Sequence, residues 1–398
     1  MKQVAKFISE IKPSATLALA AKAKTLKAQG VDVISLTVGE PDFDTPENIK
    51  AAAIEAIKSG KTKYTPVDGI VELKKAIQSK YNTRINDLKL DNIIVSVGAK
   101  QSLYNCFMVT VELDDEVIIP APYWVSYPDM VMLARGKPVI VNTTEEEFFK
   151  LTASKLKAVI TSRTRWVILN SPSNPTGMKY SKQELKDIAE VIKSYPHVGI
   201  ISDDIYEDIN FEGEIFSLID VAPELVDRIL VINGVSKSYA MTGWRVGYAI
   251  GHKDIIKAME IIQSQSTSNP CSISQYAALE ALTGDQSFLK TLKNTFKERC
   301  DIALEKIQKI NELSCVSPDG AFYLFPSCSK FFNKKMPDGN LIKDDNDFCD
   351  YLLNDAKVVV VPGSAFGFNG YFRLSYAVSV DTIVEAINRI DNSCKKLI

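Results

Sequence analysis

Seven short apolar runs punctuate the middle of the chain, at residues 93–97, 117–119, 139–141, 166–169, 198–201, 229–232 and 246–250. None alternates with polar positions, so each reads as a strand covered on both faces, and longer stretches with helical spacing separate them. This pattern predicts an α/β fold built on a mainly parallel sheet sandwiched by helices. Helix punctuation agrees. Thr45 and Pro46 read as cap and first residue of a helix running to Ser59, with Gly60 as its stop, and Ser181 with Glu184 forms a capping box for a helix toward Ser194.

Beyond about Gly284 the pattern changes. A long charged helix (286–309) is followed by shorter strands at 315–316, 321–325, 358–361 and 372–376, predicting a second, smaller α+β domain. A helix at 16–29, ended by Gly30, has no strand before it and is expected to pack with that C-terminal part. The expected division is an N-terminal arm at 1–12, a small domain from 13–44 and 285–398, and a large domain at 45–284.

Composition narrows the chemistry. The 398 residues are 46% hydrophobic and 24% charged with a formal charge of −2, which disfavours nucleic-acid and membrane partners. Any anion must therefore be met by a few placed cations. No apolar stretch reaches the ~18–20 residues of a membrane span, and the first ten residues lack a signal-peptide core, so a cytoplasmic location is expected. Seven cysteines without a CxxC pair fit reduced, packed thiols. Only His197 and His252 are present, leaving no material for a histidine triad or a multi-histidine metal site. Acid–base work falls to Lys, Tyr, Asp or Glu, and no metal is expected.

In open α/β sheets ligands bind beyond the carboxyl ends of the strands, and the chemically suggestive residues cluster there. Gly98-Ala99-Lys100-Gln101 follows the first run, ahead of a helix read over 102–111. It is either a tight turn or a set of backbone N–H groups offered to an anion. Trp124 follows the second run, as packing or as a face for a planar ring. Asn174, before Pro175, holds an amide in a rigid turn. Asp203 and Tyr206 end the fifth run, pairing a carboxylate with a phenol, and such a carboxylate can hold a pyridine nitrogen protonated.

Lys237 follows the sixth run inside Gly234-Val-Ser-Lys-Ser-Tyr239, with Arg245 downstream. A desolvated lysine beside another cation forms Schiff bases with carbonyl compounds, and the arginine suits a phosphate. Arg373 stands in an apolar strand of the second domain, where a buried guanidinium needs a carboxylate-like partner.

These residues, with Val38-Gly-Glu-Pro-Asp-Phe43 and Arg373-Leu-Ser-Tyr376, resemble the fold-type I pyridoxal-phosphate enzymes nearly end to end. Within them the chain resembles the class I aminotransferases, in particular a bacterial aspartate/prephenate subgroup. The resemblance implies a homodimer with shared active sites and a ping-pong transfer of an amino group between aspartate, or prephenate and arogenate, and the 2-oxoglutarate/glutamate pair. It implies Lys237 as the cofactor-bearing, proton-moving amine, Asp203 on the pyridine nitrogen, Tyr206 and Asn174 on the ring oxygen, and Trp124 on the ring face. Arg245 and the backbone of Ala99 and Lys100 would hold the phosphate, with Tyr64 reaching it from the neighbouring subunit.

Arg373, Asn174 and the backbone of Gly39 would bind the substrate α-carboxylate, and Lys100 a side-chain carboxylate. Lys12 matches a position linked to prephenate; its alternative is a solvated charge. Gly234 stands where animal-type members carry a serine. On the same residues the alternatives are an aromatic or alanine-type aminotransferase, a C–S β-lyase, or a cofactor-sensing regulatory module. No helix-turn-helix segment precedes Lys12 to favour the last.

Overall fold

The computed structural model describes residues 3–398. The seven apolar runs are the seven strands of one sheet: β1 (Ile93–Ser96), β2 (Glu116–Ala121), β3 (Lys137–Asn142), β4 (Thr164–Asn170), β5 (Gly199–Asp203), β6 (Ile229–Gly234) and β7 (Gly247–Ile250). Their spatial order is β1-β7-β6-β5-β4-β2-β3. Successive residues explain the continuous apolar pattern. Ile93, Val95, Val167, Ile200 and Val231 enter the core on one face, while Ile94, Trp166, Ile168, Ile201 and Ile232 enter the core on the other. With a period of two and both faces of the central strands buried, their middles are apolar, and buried polar residues such as Ser96, Asp203 and Asn233 fall at or near the strand ends.

Pairing fixes where the site must lie. Strands β2 through β6 pair in parallel, and β7 runs against both β6 and β1. The carboxyl ends of β1, β2, β4, β5 and β6 therefore share one edge of the sheet. The amino end of β7 lies on that same edge, since Gly247 stands opposite both Ser96 and Gly234. Arg245, two residues before β7, is thereby brought beside the loops that leave the other strands.

Helices α1 (Ala15–Ala28), α2 (Glu47–Lys58), α3 (Val71–Tyr81), α4 (Ala99–Thr110) and α5 (Ser126–Leu133) occupy the first third of the chain. The Ser181–Glu184 capping box opens its helix as expected. At α2 the cap differs by one residue: Pro46 is extended and outside the helix, and Thr45 donates its hydroxyl to Ala240 O at 2.7 Å instead of capping.

A second core gathers Leu36 with the helix Ser287–Gln308, Ala321–Leu324, and the helix Val380–Cys394. Ala23 of α1 and Val33 pack with Leu353 and Val359, so the early helix does join the C-terminal part. Residues 315–316 form no strand. Ser314 makes a single bridge to Ser327, and Pro318, which has no N–H, follows before pairing can extend. The 358–361 run splits: Val358–Val359 pairs with Ile34–Ser35, and Val361–Pro362 turns to pair with Phe372–Arg373.

Candidate active site

A cavity of about 320 Å³ opens at the shared strand edge, between the large sheet and the second core. Lys100, Lys237, Arg245 and Arg373 line it, and among the described residues no Asp or Glu does. In a chain whose formal charge is −2, this is a locally cationic chamber.

Lys237 Nζ donates to Gly39 O at 2.6 Å. Burial pushes its pKa down to about 8; Arg245 and Arg373 push the same way, against Glu40 and Asp203. At pH 7 about a tenth of this amine is therefore unprotonated and nucleophilic, some hundreds of times the share of an ordinary lysine. Gly39 has no room for a side chain, since a Cβ there would lie 2.6 Å from Tyr323 Oη.

Asp203 closes β5 in full burial. Its Oδ2 accepts from Tyr127 Oη at 2.6 Å and its Oδ1 from Ile205 N at 3.4 Å. Burial raises its pKa to about 6, while Tyr127, the Ile205 N–H and Lys237 oppose the rise. A carboxylate so placed gains from any cationic N–H donor brought against it. Tyr206, three residues on, has its hydroxyl 2.9 Å from that of Tyr323 and packs edge-on against Phe322.

Helix α4 begins at Ala99, three residues earlier than the sequence pattern predicts. Gly98, at φ +82°, is the residue before it. The Ala99 and Lys100 N–H groups thus stand in the first helical turn, pointing out of the helix toward the cavity edge that Arg245 occupies. The Arg245 guanidinium packs over Gly98 so closely that a Cβ there would meet Nη2 at 2.5 Å. Arg245 itself takes a left-handed backbone, φ 57°, a strain kept where it aims the side chain. Its Nη1 donates to Thr242 O at 2.8 Å, and no carboxylate among the described residues pairs with it. Two free N–H groups, a helix start and an unpaired guanidinium make a receptor for a phosphate-sized dianion.

Arg373 is 2% exposed. Its Nη1 donates to Asn174 Oδ1 at 2.8 Å and its Nη2 to Thr37 O at 2.5 Å, while Nε is buried without a partner. The Tyr323 and Phe366 rings flank it at 4.4 and 5.0 Å, and burial lowers its pKa. A buried guanidinium without an acid is costly. A ligand carboxylate supplies the missing charge. With its oxygen taken by Arg373, the Asn174 amide keeps its N–H₂ for an acceptor in the cavity.

Trp124 lines the chamber with its ring edge-on to Tyr127 at 5.3 Å and Lys100 Nζ 4.8 Å from its centroid. Burial and Arg245 lower the pKa of Lys100. Thus Gly39, Ala99, Lys100, Trp124, Asn174, Tyr206, Lys237, Arg245 and Arg373 line one cavity, and Asp203 stands behind it on Tyr127.

Lys12 and Tyr64 are not brought in. Lys12 is exposed in an adjoining groove of about 480 Å³, its backbone N–H donating to Asp129 Oδ1 at 3.1 Å, and Tyr64 is 91% exposed. Tyr127 and Tyr323, each touching a site residue, escape sequence reading because both sit in apolar helix or strand patterns where a tyrosine reads as core. A Cβ on Gly234 would lie 2.9 Å from Gly247 Cα, so a serine there would require the strands to part.

Residues 31–390 match the family model described as aminotransferase class I and II. The chain is 55% identical over 392 residues to a protein named probable aspartate/prephenate aminotransferase from Rickettsia bellii, covering 98% of each. It is 50% identical to the aspartate aminotransferase of Rhizobium meliloti, covering 99% of this chain and 97% of that one. Among solved structures, that of the Rhizobium meliloti aspartate aminotransferase superposes with a TM-score of 0.96 at 49% identity over 100% of both chains. The Thermus thermophilus aspartate aminotransferase with maleate gives 0.92 at 41% identity, covering 99% of this chain and 100% of that one. With the fold, the cationic chamber and these matches in agreement, the chain belongs to the class I and II aminotransferases.

Proposed function

We propose that the chain uses pyridoxal 5′-phosphate to move an amino group between aspartate and the 2-oxoglutarate/glutamate pair, with prephenate and arogenate as a second substrate pair. The observation that carries this reading is one cavity holding a nucleophilic lysine and a buried guanidinium without an acid. Such a cavity fits a carbonyl cofactor at one end and an amino or oxo acid at the other. When bound, the cofactor supplies an electron sink for the substrate Cα.

The chain's residues do the rest. Lys237 Nζ carries the cofactor, then removes and returns the Cα proton. Asp203 holds the ring nitrogen protonated, Tyr206 and Asn174 donate to the ring oxygen, and Trp124 covers the ring. Arg245 with the Ala99 and Lys100 N–H groups grips the phosphate. Arg373, Asn174 and Gly39 orient the α-carboxylate, and Lys100 meets a second carboxylate. The Thermus thermophilus relative was solved with maleate, a dicarboxylate, which supports that last assignment.

A homodimer is part of the proposal, with Tyr64 reaching a partner's phosphate. Its support is the exposure of Tyr64 and of Val4, Phe7 and Ile8 in the arm. The second core, drawn mostly from Leu36 and residues 292–397 and joined by Ile205, Tyr206, Ile209 and Phe211, supports the division into an arm (1–12), a small domain (13–44, 285–398) and a large domain (45–284) that meet at the cavity. Seven free cysteines, six of them buried, support a cytoplasmic, reducing location, with Lys12 read as a prephenate contact in the groove beside the cavity.

The test supplies the purified chain with cofactor, aspartate and 2-oxoglutarate. Oxaloacetate and glutamate in equal amounts are expected, with loss of both products and of the cofactor's visible band in Lys237→Ala. With an S-alkylcysteine supplied in place of aspartate, release of the thiol with pyruvate and ammonia, and no transfer from aspartate, would show a lyase instead.

A further inference from the structure

One buried carboxylate has none of the roles above. Glu207 follows Tyr206 in the turn after β5, 8% exposed and outside the cavity lining. Its Oε1 accepts from Asn233 Nδ2 at 2.7 Å and lies 2.7 Å from Lys80 Nζ, and its Oε2 accepts from Arg84 Nη1 at 3.1 Å. Asn233, 1% exposed, is the penultimate residue of β6. Its Oδ1 accepts from the Gly234 N–H at 2.7 Å, and its Nδ2 also reaches Tyr81 Oη at 3.0 Å. Two backbone bonds run alongside: Asp204 N to Ile232 O and Glu207 N to Asp204 O, both 2.9 Å.

The turn that bears Asp203 and Tyr206 is therefore fastened to the strand end that leads, three residues later, into Lys237. Neutralising cations does not account for this. Lys80 has Asp208 within 3.6 Å, and Arg84 is already bidentate to Asp220 at 2.7 and 2.8 Å. The bond to Asn233 involves no charge on the asparagine, and it is the one that reaches the β6 end.

We infer that Glu207 is a positioning residue for amino transfer: through Asn233 it keeps the Asp203–Tyr206 turn in register with the strand end that presents Lys237. This rests on the roles of Lys237 and Asp203 set out under the proposed function. The Gly234 backbone has little freedom to compensate, packed as it is against Gly247. Loss of the Glu207–Asn233 bond leaves the Asp204–Ile232 backbone bond to tie the turn to the β6 end, loosening Asn233 and Gly234 at the cavity floor and admitting water to a desolvated amine.

The experiment reads Lys237 directly in the cofactor-free chain, by reductive alkylation with a small aldehyde and cyanoborohydride across a pH series, quantified on the Lys237 peptide by mass. The charged groups facing the amine, Glu40, Asp203, Arg245 and Arg373, are the same in every variant. Wild type is expected to show a midpoint near 8. Glu207→Leu and Asn233→Ala are expected to raise it by about one pH unit, toward the value of a solvated lysine. Glu207→Gln, which keeps an oxygen for Asn233, is expected to stay close to wild type.

If Glu207→Leu does not fold, Asn233→Ala decides, since it leaves Glu207 with both cations. An unchanged midpoint in Asn233→Ala, with only a lower melting temperature, would mean a purely structural bond and overturn the inference. So would a Glu207→Gln midpoint displaced as far as that of Asn233→Ala. The readout needs neither cofactor nor substrate, so failure of wild type to transfer an amino group would overturn the functional reading separately.

Discussion

Asp203→Asn should make the cofactor-free chain more stable at neutral pH while abolishing amino transfer by the chain supplied with cofactor. The Asp203 carboxyl has its pKa lifted from an ordinary 3.8 to about 6, chiefly by burial. A group that binds its proton more tightly in the folded chain contributes stability in full at low pH and loses it as pH rises through its folded pKa. A shift of about two units corresponds to about 3 kcal/mol between fully protonated and fully ionised forms. About 2 kcal/mol of that falls between about pH 4.5 and about pH 7.5.

Asparagine keeps an oxygen for Tyr127 and does not titrate. The stability difference, variant minus wild type, should therefore grow by about 2 kcal/mol over that interval. Urea unfolding of both chains at both pH values, at one protein concentration, measures it. Asp204, which titrates nearby with a pKa of about 7, is common to both and cancels. A difference independent of pH would refute the claim that burial leaves this carboxylate only partly compensated behind the cavity. With pyridoxal phosphate bound the sign reverses, because the ring nitrogen would then pair with the ionised form, and Asp203→Asn should release the cofactor more readily.

Arg373→Lys replaces a planar fork by a point charge and should raise KM for aspartate and 2-oxoglutarate by about ten- to a hundredfold, the equivalent of about 1.5–3 kcal/mol; equal activity would remove Arg373 from the substrate site. Lys100→Ser should weaken dicarboxylic substrates more than neutral ones in half-reaction kinetics, and equal losses would count against its contact with a second carboxylate. Gly98→Ala introduces a Cβ at φ +82° against the Arg245 guanidinium. It should cost about 1–2 kcal/mol in thermal unfolding and weaken cofactor binding in an equilibrium titration; unaltered affinity would mean that Arg245 does not hold the phosphate.

The sheet was legible because burial on both faces leaves an unbroken apolar run, the one strand signal that does not depend on register. The start of α4 was not. Ala99, Lys100 and Gln101 carry no apolar periodicity, and what makes them helical is Gly98 turning the chain beneath Arg245, a contact across about 150 residues of sequence. The split of residues 358–361 had the same origin. Four valines in a row say strand, but only tertiary packing sends the first two to Ile34–Ser35 and the last to Phe372–Arg373. Tyr127 and Tyr323 were hidden for a related reason: a hydroxyl in an apolar pattern becomes chemical only when its partner, Asp203 or Tyr206, is in place.

The antiparallel strand β7 carries the deepest of these long-range effects. In an all-parallel sheet the residue two positions before a strand lies on the edge away from the ligand. Because β7 runs backwards between β1 and β6, its amino end returns to the carboxyl edge. Arg245 then packs over Gly98 and adds a cation to the field around Lys237. Burial, helped by that cation, brings the lysine's pKa down to about 8, while the same guanidinium offers a place for a phosphate. One reversal of strand direction thus joins the nucleophile and the proposed anchor of its cofactor in one edge of the sheet, on a chain whose overall charge gives no hint of either.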